Sequence, residues 1–164
     1  MNLILQGHDY RYAAEQMLLT LFPEERPEYP ACPLPPGADA AVLSLDETEG
    51  TLRARAALHR RGADYVGRDE APAPSGADPL ARDRVCQRIL KLAFYRAGVA
   101  ALGKEPPWGA LTGVRPVKIP TRAVERGASW EEAERELREV YRASPGRAAL
   151  AMDCARASLD ARRS

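Results

Sequence analysis

The chain has 164 residues, 45% of them hydrophobic and 6% aromatic, which suits one domain or one domain with an appended subdomain. Its 24 basic and 23 acidic residues give a formal net charge of +1, so no global field directs it toward nucleic acid or a membrane surface. Three widely spaced cysteines, no recognisable leader and no apolar run of about 18 residues argue against a disulfide framework or a spanning helix, and predict a cytoplasmic protein.

The N-terminal part of the chain begins with the pattern of a strand followed by a helix. The apolar run Leu3-Ile4-Leu5 predicts a strand over Met1–Gln6, and apolar residues at helical spacing predict a helix over Tyr10–Phe22. Six prolines then fall between Pro23 and Gly37, a density that excludes a helix and disfavours a central strand. We therefore expect an extended loop there.

The next segment has the alternating pattern of an antiparallel hairpin. Residues 40–45 predict one strand, residues 46–50 a turn, and residues 51–58 a second strand with one apolar and one basic face. Tyr65-Val66 predicts a third short strand, and residues 69–78 resemble a linker. The pattern predicts an α+β fold with a small, mostly antiparallel sheet packed with helices.

A long amphipathic helix is predicted next. Asp78 followed by Pro79 is typical of a helix start, and the apolar periodicity continues to about Leu102. One arc of this helix is apolar, and the other carries Arg84, Arg88, Lys91 and Tyr95. These four side chains would share one face, which either contacts an anionic partner or is a solvated surface. The solvated surface is the favoured interpretation.

Residues 108–118 combine an aromatic anchor, two glycines, a proline and two cations. Gly109 and Gly113 can adopt positive φ without a Cβ clash, while Pro116 fixes its own φ and keeps Arg115 out of the helical region. The cations Arg115 and Lys118 would then project from a fixed backbone. The segment is predicted to be a turn built to hold its side chains in set directions.

This turn has two interpretations, which the sequence leaves about equal. In the structural one, Trp108, Gly109, Leu111 and Pro116 anchor the turn in the core and Arg115 caps a helix end. In the functional one, backbone amides near Thr112 and Gly113 form a concave anion site together with Arg115 and Lys118. Arg115 would bind a carboxylate or phosphate through its bidentate fork, and Lys118 would act as a point charge.

The C-terminal part is predicted to be helical. Residues 121–126 predict a short helix closed by Gly127, and Ser129-x-x-Glu132 is a capping box that opens the next one. Ser144-Pro145 predicts the start of a last helix that runs toward Arg162. We place the domain boundary between residues 1–103, the α+β domain, and residues 104–164, the turn and a helical subdomain.

The other residue types that carry chemistry are isolated. His8 and His59 have no second ligand at metal-binding spacing, and Cys32, Cys86 and Cys154 form no Cys-x-x-Cys pair. No nucleotide-binding loop, nucleophile elbow or paired-carboxylate constellation is present. The sequence therefore predicts no metal or cofactor site and no catalytic machinery within this chain.

The segment Trp108-Gly109-Ala110-Leu111-Thr112-Gly113-Val114-Arg115-Pro116-Val117-Lys118 closely resembles the W-G-x-L-T-G-[IV]-R-P-[TV]-K signature of oxygen-independent coproporphyrinogen III dehydrogenase-like radical SAM proteins. In that family the signature lies ahead of the cluster domain, where a Cys-x-x-x-Cys-x-x-Cys motif holds a [4Fe-4S] cluster that binds S-adenosylmethionine. This chain lacks that motif. Pro120 is a further departure, because it interrupts the helix expected directly after Lys118.

The resemblance implies the first of two functions. In it, the chain is the accessory N-terminal region of such an oxidoreductase of porphyrin biosynthesis, non-catalytic by itself. It would pack on the radical SAM catalytic domain, in cis or in trans, or help to bind the anionic tetrapyrrole substrate. In the second function, the chain is a freestanding module for an anionic ligand such as RNA. The first is favoured, and nucleic acid is not an expected partner.

Overall fold

The computed structural model describes residues 1–76, 78–112 and 115–164 of the chain. Two compact units are present, Met1–Lys104 and Glu105–Ser164. The first contains a four-stranded, mostly antiparallel sheet and two helices, and the second is helical. The predicted α+β class, with a helical C-terminal segment, is confirmed.

The four strands of the first unit lie in sequential order across the sheet. Their bounds are β1 (Asn2–Gln6), β2 (Ala40–Thr48), β3 (Thr51–Arg60) and β4 (Ala63–Pro72). β2, β3 and β4 form an antiparallel meander, whereas β1 pairs with β2 in parallel. A parallel pair needs a crossover connection, and helix α1 (Arg11–Leu21) with the proline-rich loop after it supplies one.

Both hairpins close through two-residue turns in the left-handed region. Glu49 and Gly50 join β2 to β3 with φ of 52° and 73°, and Arg61 and Gly62 join β3 to β4 with φ of 50° and 80°. Positive φ at both turn residues is the geometry that matches the twist of antiparallel strands. The predicted turn at residues 46–50 is therefore too long, because β2 continues to Thr48, which pairs with Thr51.

Strand β4 is also longer than predicted. The sequence indicated only Tyr65-Val66, but the strand continues through Pro72, so the linker begins after it instead of at Asp69. The tight turn places Ala63 directly opposite Arg60, and β3 then pairs with β4 residue by residue as far as Thr51 and Pro72. Pairing with β3 in this register, more than the intrinsic strand propensity of its own residues, explains why this edge strand forms.

Helix α2 (Pro79–Leu102) covers the inner face of β3 and β4, and α1 packs beside it. Asp78 caps α2 as predicted, because its carboxylate accepts a hydrogen bond from the Leu80 amide. The predicted polar stripe is only partly correct, since Tyr95 is buried and the Lys91 ammonium donates to Gln16. The core of the unit includes Leu3, Met17, Leu18, Leu43, Leu52, Leu58, Ile89, Leu90 and Phe94.

Gly67 allows α2 to approach β4 closely. A Cβ atom at this position would lie 2.0 Å from the Ala93 carbonyl oxygen and 2.8 Å from the Ala97 amide nitrogen. Both atoms belong to the backbone of α2, so neither can move aside as a flexible side chain would. Helix and strand are in contact here through their main chains.

The second unit consists of α3 (Lys118–Glu125), α4 (Trp130–Arg135), a π-helical segment (Glu136–Val140) and α5 (Pro145–Arg163). The predicted capping box at Ser129 and Glu132 and the predicted cap at Ser144 are both confirmed. The core of this unit is small and rich in alanine, and its buried members include Ala133, Leu137, Ala143, Ala148, Ala151 and Met152.

Two expectations for this unit are wrong. Helix α3 begins at Lys118 and not at Thr121, because Pro120 falls in the first turn, where a missing amide hydrogen has no helical partner to lose. Helical spacing after the capping box also predicts an apolar stripe of Ala133, Leu137, Val140 and Tyr141, but Val140 is 42% exposed. It ends the π-helical segment, whose wider turn shifts side chains relative to α-helical spacing.

Candidate functional site

The Trp108-Gly109 pair forms a tight turn against a neighbouring piece of backbone. Gly109 has a φ of 60°, and the Ala110 amide donates to the Tyr141 carbonyl at 2.6 Å. The Ser144 amide donates to the Pro107 carbonyl at 2.9 Å. Residues 107–110 and 141–144 are therefore joined main chain to main chain.

Trp108 and Leu111 anchor this turn. Both side chains are partly buried against the core of the second unit, which includes Leu137 and Met152. The Arg147 guanidinium lies over the Trp108 ring, 5.4 Å from its centroid. These are the contacts that the structural interpretation of the segment requires.

Replacing Trp108 with alanine is expected to lower the free energy of unfolding of the second unit by about 2–3 kcal/mol. A fully buried tryptophan costs about 3–5 kcal/mol when truncated, and the partial exposure of Trp108 reduces that loss. Urea melts followed by far-UV circular dichroism measure the change. Arg147→Ala is the control, because it removes only the contact to the ring, worth about 0.5–1 kcal/mol. An unchanged midpoint for Trp108→Ala would assign the ring to a binding surface.

The second half of the segment contains the remaining residues that were predicted to form the site. Gly113, which we predicted to take part in an anion site, and Val114 lie outside the described residues. Thr112 is half-buried and does not line the groove formed by the residues that follow. Pro116 is half-buried in a turn closed by the Lys118 amide, which donates to the Arg115 carbonyl at 3.1 Å.

Arg115 and Lys118 lie together at an open groove of about 380 Å³. Two further cations, Arg122 and Arg162, line the same groove, and its carboxylate is Glu125. Arg162 donates to Glu125 at 2.8 Å, which joins the last turn of α5 to α3. Among the described residues, the other three cations form no ion pair. The groove therefore presents a concentration of positive charge that the chain as a whole lacks.

The groove is lined by cationic side chains, and the backbone amides at the start of α3 are already engaged or absent. The Lys118 amide donates to the Arg115 carbonyl, and the Ile119 amide donates to the Pro116 carbonyl. Pro120 has no amide hydrogen to offer. The free amides that usually make a helix N-terminus attractive to anions are thus occupied or missing at the start of α3.

Arg122 and Arg162 were not identified as site residues from the sequence. A signal for Arg122 exists, because it follows Lys118 by four residues and so shares its helical face. Arg162 is separated from Lys118 by two helices, and only the packing of α3 against α5 places it at the groove.

The two histidines have ordinary structural surroundings. The His8 Nδ1 atom accepts from the Tyr10 amide at 3.0 Å, so Nε2 carries the proton and donates to the Leu43 carbonyl at 2.9 Å. Burial lowers the pKa of His8, which keeps the imidazole neutral in this arrangement. The His59 Nδ1 atom lies 2.6 Å from an Asp64 carboxylate oxygen across the hairpin.

The residues present do not fit the iron–sulfur cluster that the family resemblance implies. Cys86 is buried, Cys32 and Cys154 are exposed, and all three are free thiols. Within residues 1–76, 78–112 and 115–164, no group of three or more His, Cys, Asp or Glu side chains is arranged to hold a metal ion.

The structure also bears on the membrane expectation. None of the helices in the described part of the chain is long and apolar enough to cross a bilayer.

Comparison of the sequence with protein-family models and with curated proteins finds no match.

Proposed function

We propose that the second unit binds a multiply charged anion, and that the chain serves as the accessory N-terminal region of a coproporphyrinogen III dehydrogenase-like radical SAM protein. In this role it performs no catalysis by itself. It helps to bind the anionic tetrapyrrole substrate, or it packs on the radical SAM catalytic domain in cis or in trans.

One observation carries the anion-binding part of the proposal. Arg115, Lys118, Arg122 and Arg162 line one groove whose carboxylate, Glu125, is already bound by Arg162. In a chain with a net charge of +1, such a cluster is a local departure from charge balance. Like charges held together repel one another, and a bound anion would relieve that repulsion.

The open shape of the groove favours a ligand with several anionic groups. Each cation is solvent-exposed, and a single exposed ion pair is worth only about 0–1 kcal/mol. Several such contacts to one molecule add up, because the ligand loses its translational and rotational freedom only once. Coproporphyrinogen III carries several propionate carboxylates on one ring, and the arginine fork matches carboxylate geometry.

The lining of the groove supports binding more than reaction. The Thr121 hydroxyl, which is buried beside the groove, donates to the Val117 carbonyl at 2.8 Å. The carboxylate of Glu125 is held by Arg162 in an ion pair. The groove therefore offers charge and shape, which are the requirements of a binding unit.

The test is a fluorescence titration of the chain with coproporphyrin III. Arg115→Lys keeps the charge but removes the planar fork, so the affinity is expected to fall by about 1–3 kcal/mol while the unfolding midpoint stays unchanged. A double substitution, Lys118→Gln with Arg122→Gln, is expected to weaken binding further and to reduce its salt dependence. Arg126→Gln is the matched control, because Arg126 is exposed at the end of α3 outside the groove lining.

The outcomes separate the two candidate functions. Equal affinity of the parent chain and Arg115→Lys for coproporphyrin III would reduce the segment to a structural turn. A parallel titration with single-stranded RNA tests the alternative module. Binding of RNA with a steep salt dependence, together with no binding of coproporphyrin III, would overturn the tetrapyrrole proposal in favour of a nucleic-acid module.

A further inference from the structure

The outer face of the sheet in the first unit is open. Successive residues of a strand point to opposite faces, and in β3 the buried positions alternate with exposed or half-exposed ones. In β4 the outward positions Asp64, Val66, Arg68 and Glu70 are all exposed. The inner face is covered by α2, so the sheet has one packed and one solvent-facing side.

An apolar row crosses this open face from edge to edge. Ile4 is paired with Val42, Val42 with Ala57, and Ala57 with Val66, so each of the four strands contributes one member. Three of the four are half-exposed, and the Val66 side chain is 44% exposed. Single exposed apolar residues are ordinary, but a continuous row across a sheet is typical of a contact surface.

The adjacent row on the same face contains two opposed cations. Arg55 of β3 is paired with Arg68 of β4, and both side chains line one depression of about 370 Å³. Like charges directly opposite each other on neighbouring strands destabilise a sheet. Within the described part of the chain, neither side chain forms an ion pair that would offset this repulsion.

The row beyond it shows the opposite arrangement. Arg53 lies between Asp46 and Glu70 in the register, and its guanidinium is 3.3 Å from the Glu70 carboxylate. The charges of this row are matched within the sheet, whereas those of Arg55 and Arg68 are not. The unmatched pair, Arg55 and Arg68, is exposed on the outer face next to the apolar row.

We propose that the open face of the sheet is a docking surface for an acidic, amphipathic segment of a partner protein. Aliphatic side chains of the partner would cover the row formed by Ile4, Val42, Ala57 and Val66, and a carboxylate would bridge Arg55 and Arg68. This surface belongs to the first unit and does not depend on the anion groove of the second.

The composition of the face selects a protein partner over RNA. Sheets that bind single-stranded RNA stack its bases on aromatic side chains. The central row here is aliphatic, and Tyr65 occupies an inward position of β4. Aliphatic rows pack against aliphatic side chains, while opposed arginines recognise a carboxylate through their forks.

The first experiment measures the unmatched charge in the free protein. Arg68→Gln removes the repulsion, so the midpoint of thermal unfolding of the first unit is expected to rise by about 1–5 °C. Arg53→Gln is the matched control, because it breaks an ion pair on the same face and is expected to lower the midpoint or leave it unchanged. A fall with Arg68→Gln as large as the fall with Arg53→Gln would overturn the charge argument.

The second experiment measures docking with a defined probe. The probe is a synthetic helical peptide whose leucine stripe is bordered by glutamates. When the peptide binds, we expect chemical-shift perturbations at the methyl groups of Ile4, Val42 and Val66 of the protein. Arg55→Gln and Arg68→Gln should each weaken binding about tenfold, and Arg53→Gln less than twofold. A peptide with lysine in place of each glutamate should not bind.

Three results would overturn the proposal. One is the absence of shifts on the outer face at saturating peptide, and another is equal affinity for the lysine peptide. The third is a concentration-dependent dimer in sedimentation that buries these methyl groups, which would assign the face to a second copy of the chain. Oligouridine tested in the same way should leave the outer-face methyl signals unchanged.

Discussion

Replacing Gly109 with alanine is expected to unfold most of the second unit, with a loss of about 4 kcal/mol or more in the free energy of unfolding. Gly109 has a φ of 60°, and a Cβ atom there would lie 2.1 Å from the Tyr141 carbonyl oxygen and 2.3 Å from the Arg142 carbonyl carbon. Both contacts are to backbone, so the turn and the 141–144 segment would have to separate. A loss of this size is comparable to the whole stability of a small domain.

Two other glycines of the same unit separate the causes of this effect. Gly127 has a φ of 99° but open space at its Cβ position, so Gly127→Ala measures the conformational penalty alone, about 1–2 kcal/mol. Gly146 also has open space around it and lies in the first turn of α5. Gly146→Ala is expected to be neutral or slightly stabilising.

Tryptophan fluorescence in urea reports this unit selectively, because the two tryptophans, Trp108 and Trp130, both belong to it. A Gly109→Ala midpoint equal to that of Gly127→Ala would show that the close approach of the 141–144 segment carries no energy. The turn at Gly109 and the π-helical segment that residues 141–144 follow would then contribute independently to the stability of the unit.

Replacing Gly67 with alanine is the second large effect, and it is expected to lower the free energy of unfolding of the first unit by about 3 kcal/mol. The added methyl group would meet the main chain of α2 at 2.0 Å, so helix and strand would have to move apart along the edge of the sheet. Overpacking of this kind costs about 1–3 kcal/mol, and rigid backbone on both sides places the cost at the upper end.

The measurement for Gly67→Ala is far-UV circular dichroism in urea, with amide hydrogen exchange in β4 and α2. Gly62→Ala is the matched control, since Gly62 has a φ of 80° and open space around it, and the expected cost is about 1–2 kcal/mol. Tryptophan fluorescence should be unchanged in both variants. A Gly67→Ala protein as stable as the parent would contradict the close contact between α2 and β4.

The sequence predicted best those features that depend on neighbouring residues. The caps at Asp78, Ser129 and Ser144 were correct, because a capping side chain bonds to an amide two or three residues away. Helical spacing after Ser144 also predicts an inward arc of Ala148, Met152, Ala155 and Leu159, and all four residues are buried in α5. Local chemistry was sufficient in these cases.

Features that depend on distant residues were missed. The two hairpin turns place Glu49 and Arg61 at positive φ, where Asn or Asp is the usual sequence signal, so the first turn was predicted too long and the second was not predicted. Strand β4 contains Gly67 and a run of charged residues that indicate a loop. It forms because β3 presents a complete partner edge.

The candidate groove shows the same limit. Arg115 and Lys118 were predicted because they stand in one short segment, and the structure places both at one groove. Arg162 comes from the end of the chain and reaches the groove through the packing of α5 on α3. The pattern of the eleven residues 108–118 could not show that Arg162 lines the same groove. It also could not show that Gly109 lies against the backbone of Tyr141 and Arg142.

The parallel pairing of β1 with β2 has a consequence for the order in which the sheet folds. The meander of β2, β3 and β4 is closed by two-residue turns, so it can form rapidly from local contacts. β1 must wait for residues 7–39 to close as one loop, which costs about 2–3 kcal/mol more chain entropy than a tight turn. We therefore expect the first strand of the chain to be the last to join the sheet, so that the Ile4 position of the open face is completed only at that final step.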